Sequence, residues 1–243
     1  TDAGNGVINM GTLQQSAGDL ILVTHGNGAA TVVNNAAIDF GTSNVGGALI
    51  ATASAGTITQ NGGALTVAGT SAFTTSTNDQ AITLGDASNA LTGTVAFTTG
   101  GTTGNVVIDN GTTALDLAAS TISGTLSATG GATAGIVDSG NVAVAGNVTL
   151  TTDAGNGVIN MGTLQQSAGD LLLVTNGNGA ATVVNNVAID FGTSNLGGAL
   201  TVTATTGDIT QAGGALTVAG ASSFTLGANS ANVVLDHASN AFS

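Results

Sequence analysis

The stretch TDAGNGVINMGTLQQSAGDLILVTHGNGAATVVNNAAIDFGTSNVGGAL begins at Thr1 and returns from Thr152 with 45 of 49 positions unchanged. The four differences are Ile21 to Leu172, His25 to Asn176, Ala36 to Val187 and Val45 to Leu196, three of them apolar for apolar. The offset of 151 residues then holds without a gap through ITQNGGALTVAGTSAF and ITQAGGALTVAGASSF. Fixed self-similarity of this kind marks a fold made by stacking like units, each too small to bury its own apolar face. The chain therefore reads as one continuous array over 1–243, with a first long unit at 1–151 and a partial second at 152–243.

A shorter period lies inside the long one. The residue closing each apolar "VIN", "VVN", "TITQ" or "VVID" segment gives the series Asn9, Asn34, Gln60, Gly85, Asp109, Asp138, Asn160, Asn185, Gln211 and Asp236. Its steps average about 25 residues, six to the long unit. Three columns of apolar clusters follow the same count; the first runs through Ile8, Val33 and Ile58. Many clusters alternate, as in Leu65-Thr66-Val67 and Leu115-Asp116-Leu117, and period two is the pattern of a strand with one face buried. Gly, Asn, Asp and Ser separate them, the residues that turn a chain.

The expected fold is all-β: a right-handed parallel β-helix (β-solenoid) with about 25 residues per coil, three short strands per coil and about ten coils. At about 4.8 Å per coil such a rod is near 50 Å long. An antiparallel sandwich also has short strands and frequent turns, but it gives no reason for a period that persists through three columns.

Composition agrees. With 42% hydrophobic residues in a regular pattern, the chain is far from the aliphatic-poor profile of disorder. There are 39 Gly and no Pro, Cys, Trp, Tyr, Lys or Arg, and all 13 acidic residues are Asp. The formal charge of −13 repels phosphate backbones and anionic membrane surfaces, so neither nucleic acid nor membrane insertion is expected. Ion pairs between side chains cannot hold the fold together at neutral pH.

The polar column Asn9, Asn34, Gln60, Asp109, Asp138, Asn160, Asn185, Gln211 and Asp236 is expected to form a structural ladder at the coil corners, its amides bonding neighbouring coils. Asp109 and Asp138 would then be carboxylates of adjacent coils, either a stacked pair that raises one pKa or recruits a cation, or two solvated turn residues. Gly46-Gly47, Gly62-Gly63 and Gly213-Gly214 are expected to supply positive φ at turns.

The segments Gly198 to Ala204, Ile209-Thr210-Gln211 and Ala215 to Gly220, together with AITLGDASNALTGTVAF (Ala81 to Phe97) and NVAVAGNVTLTTDAGNG, resemble filamentous haemagglutinin-type bacterial exoproteins, repetitive β-solenoid adhesins. The resemblance runs over essentially the whole chain. It implies a secreted, right-handed β-helical rod at the bacterial cell surface, acting in adhesion, aggregation or biofilm. The Asn-Pro signature of that family's secretion domain is absent from this sequence, which has no Pro. Because residue 1 falls inside a repeat, the chain is expected to be an interior piece of a longer protein.

No catalytic, metal or cofactor site is expected. Polysaccharide-cleaving β-helices need basic side chains, clustered carboxylates and aromatic platforms, of which only scattered Asp are here. His25 becomes Asn176 in the second unit, and His237 corresponds to Asp86. Weakly bound divalent cations are the one ion the charge would attract. The functional expectation is an extracellular structural repeat protein, the shaft of an adhesin or a matrix protein. The alternative is a self-assembling filament subunit, since an uncapped solenoid end is an open sheet edge. Expected partners are other copies, end to end or side by side, and surface or matrix glycans.

Overall fold

The computed structural model describes residues 4–153 and 155–243. Among them there is no helix; the strands form one 13-stranded and one 11-stranded sheet, and their pairings are parallel. The chain crosses the two sheets strictly in turn. Ile8–Leu13 lies in the first sheet and 20–23 bridges into the second; Ala30–Asn34 returns to the first and Ile38–Val45 to the second. This alternation continues to Ala241–Phe242 and makes about 11 stacked turns of about 22 residues. The chain is a β-solenoid.

The register corrects the period. Ile8 pairs with Ala30, Val33 with Thr52, and Ile58 with Ile38 and Ile82, so Ile8, Val33 and Ile58 do not stack on one another. From Ile8–Leu13 to its copy Ile159–Gln166 the first sheet is crossed seven further times, so the 151-residue unit holds seven turns rather than six.

Three straight segments per turn are present, but in two sheets rather than three. In most turns one pass is a single strand and the other bends at a bulge or short gap. Ile58–Val67, for example, pairs through Ile58 with Ile82 and, beyond the bend, through Thr66 and Val67 with Ala90 and Leu91. Bent passes lie in the second sheet at Ile38–Val45 and Ile58–Val67, in the first at Leu115–Leu117/Ser120–Ile122 and Ile159–Gln166, and in the second again at Ile189–Leu196 and Ile209–Val218. The exchange falls where two single passes follow each other, Val95–Gly100 then Val106–Asp109, and Asp170–Val174 then Ala181–Asn185. Each long unit is thus two similar half-units of three and a half turns, and each half-unit repeats the one before it from the opposite sheet.

Alternation within strands sets the core. Val32, Ala51, Phe73 and Phe97 follow one another inward in register and are fully buried, while their sequence neighbours face out. The aromatic rings form a stack: Phe73 lies 5.8 Å from Phe97 at 20° and meets Phe40 edge-on at 6.2 Å and 83°. Such pairs contribute about 0.5–1.5 kcal/mol beyond the area they bury.

Glycine appears where one turn presses on the next. A Cβ on Gly46 would sit 2.0 Å from the Gly26 carbonyl oxygen, and one on Gly197 would sit 1.8 Å from that of Gly177. Of the three glycine pairs singled out in the sequence, only Gly63 and Gly214 have positive φ; Gly46, Gly47, Gly62 and Gly213 are needed for close approach instead.

Candidate functional site

The nine residues of the expected ladder do not form one column. Asn9 and Asn160 point outward from the first sheet, and Asp236 is exposed. Asp109 lies in the second sheet opposite Thr129, and Asp138 in the first opposite Leu117, so the two carboxylates are not neighbours. Asp109 accepts from the Gly111 N–H at 2.9 Å. Asp138 reaches one turn onward, accepting from the Gly162 N–H at 2.7 Å and the Thr163 N–H at 2.8 Å.

Asn34 and Asn185 do bond neighbouring turns, in a way repeated by Asn110, which the series missed. Each follows an alternating apolar strand at the inward parity, and each is buried to within 1%. Asn34 Oδ1 accepts from the Gln15 N–H at 3.0 Å, and its amide donates to the Gln15 carbonyl at 2.8 Å and the Ala37 carbonyl at 2.7 Å. Asn110 grips both backbone groups of Leu91 and the Ala114 carbonyl. Asn185 does so with Gln166 and Ala188. A side-chain amide thereby takes the place of a backbone partner, satisfying groups that would otherwise be buried alone. The signal was parity: Asn110, two residues beyond inward Ile108, is the structural residue, and Asp109 is its outward neighbour.

Gln60 and Gln211 belong to a second device. Gln60 Nε2 donates to Asn89 Oδ1 at 2.6 Å, and Asn89 Nδ2 returns a bond to Gln60 Oε1 at 3.0 Å. Gln211 and Asn240 repeat this at 2.7 and 2.8 Å. Asn89 also accepts from the Leu65 N–H of the preceding turn at 2.8 Å, and Asn240 from that of Leu216 at 2.9 Å. Inward serines add a third: Ser43, Ser120 and Ser194 each accept a backbone N–H from the turn before, at Leu22, Phe97 and Leu173.

On the outside, Asp and Asn cap amides one turn ahead. Asp79, itself at φ 62, accepts from the N–H groups of Thr102 at 2.7 Å and Thr103 at 2.8 Å. These backbone bonds hold its carboxyl below the ordinary value of 3.8. Among the described residues, no three His or Asp side chains converge as a metal centre would require.

A shallow cleft lies on the outside of the first sheet. It measures about 390 Å³ and crosses five successive turns, from Gly101 through Thr121 and Ala143 to Gln165 and Asn186. Thr121, Ala143 and Gln165 are in direct register. Smaller hollows adjoin it, one sharing Gln165 and Asn186, the other Ser167 and Val187. The hollow that holds Thr163, Gln165, Asn186 and Thr205 has a counterpart 151 residues earlier at Thr12, Gln14, Asn35 and Ser54. Nothing in the sequence period announced this cleft, because its residues come from turns the 25-residue count did not align.

Fold and cross-turn bonding define the class: a β-solenoid repeat protein. The chain matches the family described as "Repeats of unknown function (DUF5649)" at residues 26–98, 103–172 and 177–243, and it belongs to that family. The three matched stretches follow the half-units of the structure, each starting on the opposite sheet from the last. No curated protein and no solved structure shows significant similarity to the chain.

Proposed function

We propose that this chain is a length of shaft in a secreted bacterial surface protein of the filamentous haemagglutinin type, a non-catalytic spacer in an adhesin or matrix protein. The observation that carries this reading is that its inward polar side chains bond mainly across or within turns. Asn34, Asn110 and Asn185 grip the peptide of the previous turn, and the Gln60–Asn89 and Gln211–Asn240 pairs do the same work at the bends. A rod in which every turn is tied to the next transmits position without needing a mobile part. The high negative charge without any Lys or Arg favours solubility and keeps parallel rods apart.

Electron microscopy of the purified protein tests the rod and its use together with surface labelling. Separate rods about 50 Å long support a shaft, the length following from about 4.8 Å per turn. Long uniform fibres would favour the self-assembling filament. Antibody labelling of intact cells of the source organism should succeed without permeabilisation; labelling only after permeabilisation would overturn the surface assignment.

A further inference from the structure

We infer that the cleft on the first sheet is a binding site for an uncharged polysaccharide chain lying along the rod axis. Its lining presents amides and hydroxyls, at Gln165, Asn186, Thr121 and Ser167, together with the small apolar side chains of Ala143 and Val187. Amides and hydroxyls pair with neutral hydroxyl groups in both directions, and small apolar side chains suit the C–H faces of a sugar ring. No charged side chain lines the cleft itself. The net charge of −13 with no basic residue disfavours acidic glycans and nucleic acid.

An extended peptide fits less well. The lining groups recur once per turn, about 4.8 Å, whereas an extended peptide advances about 3.3 Å per residue. The backbone groups of these strands are also already paired to neighbouring turns, which leaves no edge for strand addition. One pyranose unit of an extended glycan has a length close to the turn spacing, so successive rings meet successive turns, at Thr121, Ala143 and Gln165 in one row and Ser123, Ala145 and Ser167 beside it. The smaller hollow adjoining the cleft recurs in both long units, at Gln14 and Asn35 as at Gln165 and Asn186. Seven turns separate them, about 34 Å, so one long glycan could engage both with added avidity.

The test is affinity electrophoresis of the whole chain in native gels containing hydroxyethyl cellulose, dextran or galactomannan, with carboxymethyl cellulose as the charged comparison. Expected is retardation by at least one neutral polymer and none by carboxymethyl cellulose. The pair Gln165→Ala with Asn186→Ala, and separately Ala143→Leu in the cleft lining, should weaken retention at least tenfold with an unchanged circular dichroism spectrum. Thr149→Ala, on the other sheet, should leave it unchanged. Failure of all three neutral polymers to retard the protein, or equal retention of the cleft variants, overturns the assignment. Retention by carboxymethyl cellulose alone overturns it as well. None of these outcomes bears on whether the chain is a shaft.

Discussion

The side-chain amide of Asn185 closes on both backbone groups of Gln166, accepting its N–H at 2.8 Å and donating to its carbonyl at 3.0 Å. Asn185 is fully buried, so removal of the amide strips this partner from the Gln166 N–H and from the Gln166 and Ala188 carbonyls. Asn185→Ala is expected to destabilise the fold by about 2–4 kcal/mol in urea titration. Asn160→Ala, outward on the same sheet, should change stability by less than about 0.5 kcal/mol. Equal effects would mean that the inward amides do not hold the turns.

Close approach between turns makes a contrast between glycines. At Gly197 a methyl group would meet the Gly177 carbonyl oxygen at 1.8 Å, so Gly197→Ala should lower stability by several kcal/mol or abolish soluble expression. At Gly85 nothing lies within 4 Å and φ is not positive. Gly85→Ala should therefore be neutral or stabilising by up to about 1 kcal/mol. Thermal unfolding of the two variants side by side checks this.

The phenylalanine stack gives a packing test. Phe73 is fully buried between Phe40 and Phe97. Phe73→Ala should cost about 3–5 kcal/mol, and Phe73→Leu markedly less. Equal losses for the two would show that the site does not register cavity volume.

Asp79 supplies a pH dependence whose sign is fixed. Its folded pKa lies below the ordinary 3.8, because the Thr102 and Thr103 N–H groups favour the carboxylate. Its contribution is therefore present above that value and fades as pH falls from there through the lowered one. Carboxyl-carbon NMR titration should find Asp79 titrating at lower pH than a solvated aspartate. Asp79→Asn should reduce the loss of stability across that acid range.

The fold class was legible in the sequence, and the turn length was not, for one physical reason. A half-unit of three and a half turns puts its copy on the opposite sheet, so corresponding apolar clusters look alike whichever sheet they belong to. Stepping from Asn34 to Gln60 thus crosses from Ala30–Asn34 in the first sheet to Ile58–Val67 in the second. Steps of about 25 residues on turns of about 22 drift across the faces and lose one whole turn in each 151 residues. The inward asparagines were half legible. Asn34 and Asn185 stood out by position, while Asn110 was hidden behind Asp109, a neighbour of opposite parity. The cleft was not legible at all, since it depends on which turns adjoin.

The half-integral winding also governs how such an array can grow or shrink. Inserting or deleting one half-unit swings everything beyond it to the far side of the rod, so whatever the distal part displays faces the other way. Gain or loss of two at once preserves its bearing. A genome that lengthens this protein in pairs changes its reach and leaves its aim alone.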